Sequence, residues 1–354
     1  MNILSTRAVV PLVVSALALG FLATTAPTSF PGVQPQLATL GDRVYLAFGL
    51  VDAISVVRSD DRGETFGPPS RLPLSGRLSL GMHRGPRVAA TNSTVLVTAV
   101  AGAKGGGADG DVLLFRSRDR GTSWTTAVVI NDVVGSAREG LHALAASASG
   151  LVVIAWLDLR AGGTRIFAAV SRDHGATWTP DVLVYASPSG SVCECCHPSV
   201  AIDREGRIAV MFRNNVDGNR DMYVARSAGE GSFAPATKVG TASWPLNACP
   251  MDGGGLALTE GGIVAIWRRE DGIFLSSGQV PERRLGTGRD PTVATTGAHH
   301  DIAWSSSAGI MLVRDSTQPV PVAAGRFPAI LALKEKTVLA WEDQGTVLVR
   351  AIPR

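Results

Sequence analysis

An all-β chain built from repeated four-stranded units is predicted by three observations. Glycine and proline are frequent, 40 and 20 of 354 residues, and supply the tight turns that many short strands need. Apolar residues come in short runs of Val, Ala, Ile and Leu, with no sustained 3.6-residue period that would mark amphipathic helices. The third observation is self-similarity: a Pro-containing strand, a strongly apolar strand, a strand ending in Arg-Ser or similar, and a fourth segment after a turn recur seven times.

The second strands of these units make the repeat visible. They read VYLAFG (44–49), TVLVTAV (94–100), LVVIAWLD (151–158), RIAVMFR (207–213), GIVAIWR (262–268), HDIAWS (300–305) and TVLAWED (337–343). Four-stranded units at periods of about 35 to 55 residues predict a β-propeller, whose blades pack face against face around a central channel. Seven blades are favoured; six result if the shorter C-terminal units merge. The last unit, from 327 to 354, has room for three strands only, so its fourth is expected from the segment around 30–34, which would close the ring and remove exposed edges. One propeller domain then spans 27–354.

Ahead of it, residues 1–26 have one early cation at Arg7, an apolar stretch from Ala8 to about Ala23 and small residues after it. That is the layout of a signal peptide and predicts a periplasmic or secreted protein. No later run reaches the roughly 18 apolar residues of a membrane span, so none is expected after cleavage; a retained N-terminal anchor is the alternative. A formal net charge of +3 gives no case for nucleic-acid binding. Only four of the 33 basic residues are lysine. Arginine presents a planar fork to carboxylate or phosphate, so an anionic ligand is one reading of this bias, and ordinary solvated surface is the other.

A second repeat is nested in the first. SDDRGETF (59–66), SRDRGTSW (117–124) and SRDHGATW (171–178) share Ser-x-Asp-x-Gly-x-Thr/Ser-aromatic, and SAGEGSF (227–233) is a decayed fourth copy. Asp bonds back to backbone N–H groups of a turn, Gly takes a positive φ, and the aromatic packs between strands. The motif resembles the Asp-box, or bacterial neuraminidase repeat, of the sialidase (neuraminidase) family. The resemblance implies a sialidase-like propeller in which Asp61, Asp119 and Asp173 are structural and lie on the face away from the ligand.

In a propeller the loops entering the first strand and those joining the second to the third surround one mouth. The entrances carry Met82-His83-Arg84, Arg138-Glu139 with His142, Cys193 to His197, Cys249-Pro250-Met251-Asp252, Arg289-Asp290 and Arg326. The inner hairpins carry Asp52, Asp158 with Arg160, Arg213 with Asp217, and Arg268 to Asp271. The resemblance to sialidases implies three arginines on a sugar carboxylate, a tyrosine nucleophile activated by Glu and an Asp acid/base. Arg84, Arg289 and Arg326, each two residues before a proline, are candidates for such a clamp together with Arg213 and Arg268, and Asp52, Asp158 and Glu270 for acid/base chemistry. The chain departs from the family where the first arginine would stand, reading Val33-Gln34-Pro35, and Tyr45, Tyr185 and Tyr223 all fall inside strand patterns. The expectation is therefore a small-molecule, glycan or metal ligand at the mouth rather than orthodox sialidase chemistry. A glycoside hydrolase acting on anionic sugars, and a disulfide-stapled structural or protein-binding propeller, are the alternatives.

All four cysteines fall in two adjacent entrances, SVCECCHPSV (191–200) and NACPMDGGG (247–255). In an oxidising compartment they could pair as disulfides, with Cys249 stapled to the CECC cluster. Cys193, Cys195, Cys196, His197, Cys249 and Met251 together offer thiolate, imidazole and thioether ligands suited to copper or zinc. Cys193 to His197 also matches C-x-x-C-H, the attachment motif of covalent haem.

Overall fold

The computed structural model describes residues 26–354 except 230, 279, 298 and 316. The predicted signal peptide therefore lies almost wholly outside the described residues. Among these the regular elements are all strands, with no helix, and none is a helix long and apolar enough to cross a membrane. Seven antiparallel sheets follow one another along the chain, each with its strands in consecutive order, except the last. That last sheet takes Arg326–Ala332, Lys336–Asp343 and Thr346–Pro353 from the C-terminal end and completes itself with Thr28–Pro31, which pairs Phe30 with Val347. The ring closes slightly earlier in the chain than the sequence suggests, because Val33 and Gln34 already belong to the first strand of blade 1, Val33–Leu40.

The blade count follows from the packing. Seven apolar clusters lie between successive sheets, the last joining blade 7 to blade 1 through Phe30, Leu46, Phe48, Val338 and Val347. The second strand of blade 3, Val152–Asp158, shows how one run serves two interfaces. Val152, Ile154 and Trp156 face blade 2, while Val153, Ala155 and Leu157 face blade 4. Side chains alternate along a strand, so a strand covered on both faces must be apolar throughout. The first strands touch one another around a closed circle and so line the axis.

The three Ser-x-Asp-x-Gly turns join third to fourth strands, at the end of the molecule opposite the mouth. In each, the serine hydroxyl accepts from the glycine N–H and donates to the aspartate: Ser171 Oγ receives Gly175 N at 2.9 Å and reaches Asp173 Oδ1 at 2.8 Å. Asp173 then accepts from Ala176 N and Thr177 N at 3.0 and 2.8 Å. Hydrogen bonds from Ser123 and Thr177 hold Asp119 and Asp173 far below the usual carboxylate range. Asp61 sits at about 2, its slight burial outweighed by Ser59 and Thr65. Phe66, Trp124 and Trp178 pack into three different inter-blade cores. Ser171 is buried and its hydroxyl serves two partners, so Ser171→Ala should cost about 1–3 kcal/mol in chemical denaturation.

Candidate functional site: the propeller mouth

Three blades enter their first strands through the same local device. GVQP (32–35), GRDP (288–291) and GRFP (325–328) each shift the register of pairing with the second strand. The residue before each proline takes a positive φ: 57° at Gln34, 58° at Asp290 and 51° at Phe327. The glycine is required; a Cβ at Gly325, itself at φ 125°, would stand 2.5 Å from Trp341 and 2.6 Å from the Glu342 carbonyl. Each bulged N–H is received by a side chain from the preceding blade: Gln34 N by Glu342, Asp290 N by Asp252 and Phe327 N by Ser305. Bulges thus link neighbouring blades at the mouth and present the residue before proline to it.

Blade 2 enters differently. Its first strand is broken into Arg77–Leu78 and Arg87–Ala90, both paired to Val95–Gly102. The loop between them carries Met82 and His83, both at positive φ. His83 Nε2 meets Asp290 Oδ1 at 2.9 Å, its ring stacks on His197 with centroids 4.4 Å apart, and Phe327 meets it edge-on at 5.0 Å. Beneath, Arg87 is buried and donates to the carbonyls of His83, Gly85, Pro86 and His142; burial lowers it to about 10.

Behind Asp290 lies Asp252, fully buried and receiving Asp290 N at 3.0 Å. One ligand atom from each of His83, Asp252 and Asp290 falls within 4.8 Å of the others. Burial and the charge of Asp290 raise Asp252 to about 6. Asp290 moves the other way: burial would raise it, but His83 and Arg289 together hold it below the usual range. Two carboxylates at this separation titrate as a pair, one ionised readily and the other reluctantly. His197 is kept neutral first by burial and then by His83, Arg87 and Arg213.

Outside this cluster opens a cleft of about 630 Å³ between the entrances of blades 5, 6 and 7. Arg268, Arg289 and Arg326 line it, with Met82, Met251 and Phe327 as apolar wall and Asp290 at its base. Arg289 and Arg326 keep 54% and 61% of their side chains exposed. Arg326 is steadied by Glu342 at 2.9 Å, and Arg268 by the Glu270 carbonyl at 2.6 Å.

Of the expected clamp the structure brings Arg268, Arg289 and Arg326 together. It does not bring Arg84 or Arg213 there. Arg84 is buried and gives its Nε to the Glu139 carbonyl at 2.5 Å. Arg213 is buried among four carbonyls. The three carboxylates picked for acid/base chemistry do not meet. Asp52 is exposed and paired with Arg71 at 2.7 Å; Glu270 is exposed on the rim. Asp158 is fully buried, bonded to Trp156 Nε1, Ser136 Oγ and Arg160, whose hydrogen bonds outweigh burial and keep it low. Tyr45, Tyr185 and Tyr223 pack in inter-blade cores. The residues that do converge, His83, Asp252 and Asp290, stood among the mouth residues read from sequence but were not singled out. The Gly-x-x-Pro repeat was a signal that could have singled out Asp290; His83 and Asp252 lie outside it.

At the blade 4 entrance three of the four cysteines meet. Cys193 Sγ lies 3.7 Å from Cys195 Sγ and 3.4 Å from Cys196 Sγ, and the last two are 4.0 Å apart. All four cysteines are free thiols. Hydrogen bonds from Cys195 and Cys196, aided by Arg213 and Arg220, favour the Cys193 thiolate. Cys195 and Cys196 are pushed up, by the other thiols and by burial respectively. Cys249 is exposed and stands outside this triangle, Met251 faces the arginine cleft, and His197 turns to His83. The C-x-x-C-H string lies on a turn, with Cys193 and Cys196 buried.

No family profile matches the chain, and no curated protein matches it. Solved structures do share its fold. The GH93 α-L-arabinofuranosidase of Fusarium graminearum, solved with arabinobiose, is similar with a TM-score of 0.55 at 11% identity, covering 93% of this chain and 98% of that one. A protein of unknown function from Dyadobacter fermentans has a TM-score of 0.55 at 14% identity, again covering 93% and 98%. The polysaccharide lyase Uly1 has a TM-score of 0.56 at 9% identity, covering 91% and 90%. At such identities the likeness is one of fold: this chain is a seven-bladed β-propeller of the architecture found in glycoside hydrolases and polysaccharide lyases.

Proposed function

We propose that the chain is an exported protein that binds an acidic glycan at its mouth and acts on it by acid–base chemistry. The observation that carries this reading is the convergence of Arg268, Arg289 and Arg326 on one cleft whose base is Asp290. Guanidinium groups recognise sugar carboxylates by paired, charge-assisted hydrogen bonds. Met82, Met251 and Phe327 offer the apolar surface against which a sugar ring packs. Asp290 is the acid–base group, oriented by His83 from the channel side, with Asp252 behind it able to hold a proton near neutral pH. The tyrosines packed in the blade cores leave this site without the nucleophile of an orthodox sialidase. The architecture shared with glycoside hydrolases and polysaccharide lyases is consistent with the reading, which rests on the arginines.

Calorimetry with uronate- or sialate-bearing oligosaccharides tests it. One charge-assisted hydrogen bond contributes about 1.5–3 kcal/mol, so Arg289→Ala and Arg326→Ala should each weaken binding about 10- to 100-fold. Neutral oligosaccharides should bind weakly to all forms. Asp290→Asn should abolish the formation of new reducing or unsaturated ends while binding persists. Equal affinity for neutral and acidic sugars would refute the proposal.

A further inference from the structure

We infer that Cys193, Cys195 and Cys196 form a three-thiolate site for a single thiophilic d¹⁰ cation, Cu(I) or Zn(II), independent of the glycan reading. The sulfur triangle has edges of 3.4, 3.7 and 4.0 Å. A point equidistant from its corners lies about 2.2 Å from each sulfur, close to the ~2.3 Å of a zinc–thiolate bond. Three thiolates on a tetrahedron around such a bond length would be spaced about 3.8 Å apart. The cluster already has that spacing.

Three converging thiols also argue by number. One disulfide would use two sulfurs and strand the third, whereas one soft cation engages all three. The backbone around them is fixed before any ion arrives. Cys193 N donates to the Arg213 carbonyl at 3.1 Å and Val192 N to the Thr164 carbonyl at 2.9 Å. Thr164 N in turn donates to Ser191 Oγ at 3.1 Å. The loop is thereby pinned to blades 3 and 4. Arg213 and Arg220 lie near enough to act on Cys193 electrostatically and offset part of the negative charge of three thiolates. Cys193 and Cys196 are buried, while Cys195 is half-exposed and gives the ion a way in from solvent. Because His197 follows directly and stacks on His83, an ion at the triangle would clasp the loop that carries His197 to the axis.

The test uses the full chain, reduced and handled without oxygen. Cu(I) is titrated against a chromophoric Cu(I) chelator, Zn(II) against a zinc indicator, and Co(II) serves as a spectroscopic stand-in for zinc. The expected result is one equivalent of Cu(I) or Zn(II) held against the competitor, with a thiolate-to-cobalt charge-transfer band. Cys249→Ser should bind as the wild type does. Cys195→Ser, at the least buried corner of the triangle, should lose affinity at least 100-fold with an unchanged circular dichroism spectrum. Failure of the wild type to hold either ion would overturn the inference. So would wild-type affinity in Cys195→Ser, or an equal loss in Cys249→Ser.

Discussion

Arg213→Ala should lower the stability of the propeller by about 3–5 kcal/mol, the range found when one partner of a buried charged network is removed. The side chain is 1% exposed. Its guanidinium donates to Arg220 O at 2.6 Å within blade 4, and to Arg268 O at 2.9 Å, Asp252 O at 3.1 Å and Gly253 O at 3.5 Å in blade 5, with the Trp244 ring 5.3 Å away. Truncation would leave several buried carbonyls without a donor and open a gap between two blades. Lysine keeps the charge but not the fork, so Arg213→Lys should recover only part of the loss. Urea unfolding followed by tryptophan fluorescence measures both. Arg326→Ala supplies the contrast, since it should weaken ligand binding while costing stability only through its single ion pair to the buried Glu342 carboxylate, so its urea midpoint should fall less than that of Arg213→Ala. A wild-type midpoint for Arg213→Ala would mean those carbonyls find water or each other.

Asp252→Asn is expected to stabilise the protein above pH 6 and to flatten its pH dependence between about pH 4 and 6. The groups facing this carboxyl are Asp290, His83, Arg213 and Arg268. Its pKa is raised to about 6 in the folded state, by burial first and Asp290 second, against about 3.9 in an unfolded chain. Between those values the folded state binds more protons than the unfolded one, so stability falls as pH rises through the window. The whole effect is at most about 3 kcal/mol, about two pKa units at 1.36 kcal/mol each. Asparagine removes the charge and can still accept from Asp290 N, so the loss should vanish. Asp290 has the opposite sign. Its lowered pKa contributes stability above about pH 4 that is lost as pH falls through its folded value, a separate window. Urea midpoints at half-unit intervals from pH 3 to 8 would resolve the two. An unchanged profile in Asp252→Asn would place the proton elsewhere.

The fold was legible because it is written locally and repeatedly. Runs such as LVVIAWLD carry the alternation that serves two inter-blade cores, and the Ser-x-Asp-x-Gly turns recur at one position in successive blades. The ring closure was legible as a missing strand. The site was legible only as a face. Which mouth residues converge depends on the bulge before each proline and on the broken first strand of blade 2, and neither leaves a hydrophobic period to read. Arginine was the hardest type to place. Arg213 and Arg326 both end or begin strands at the mouth, yet one is buried among carbonyls and the other is largely solvated, because the Asp252–Gly253 turn folds over the first and nothing covers the second. The cysteines divided similarly. Adjacency in sequence kept Cys193, Cys195 and Cys196 together, while Cys249, an entrance away, points to solvent.

The strand Thr28–Pro31 is among the first parts of the propeller to leave the ribosome, and its pairing partner, within Thr346–Pro353, is among the last. Contacts so distant in sequence form slowly, since the chain between their ends must first be gathered. Six blades can therefore assemble before the seventh, its edge and the adjoining core around Phe30 and Val347 left open until then. The sequence separation of its two ends thus makes closure a late folding event. It also makes the interval before closure the period when an unpaired edge is most exposed to other chains.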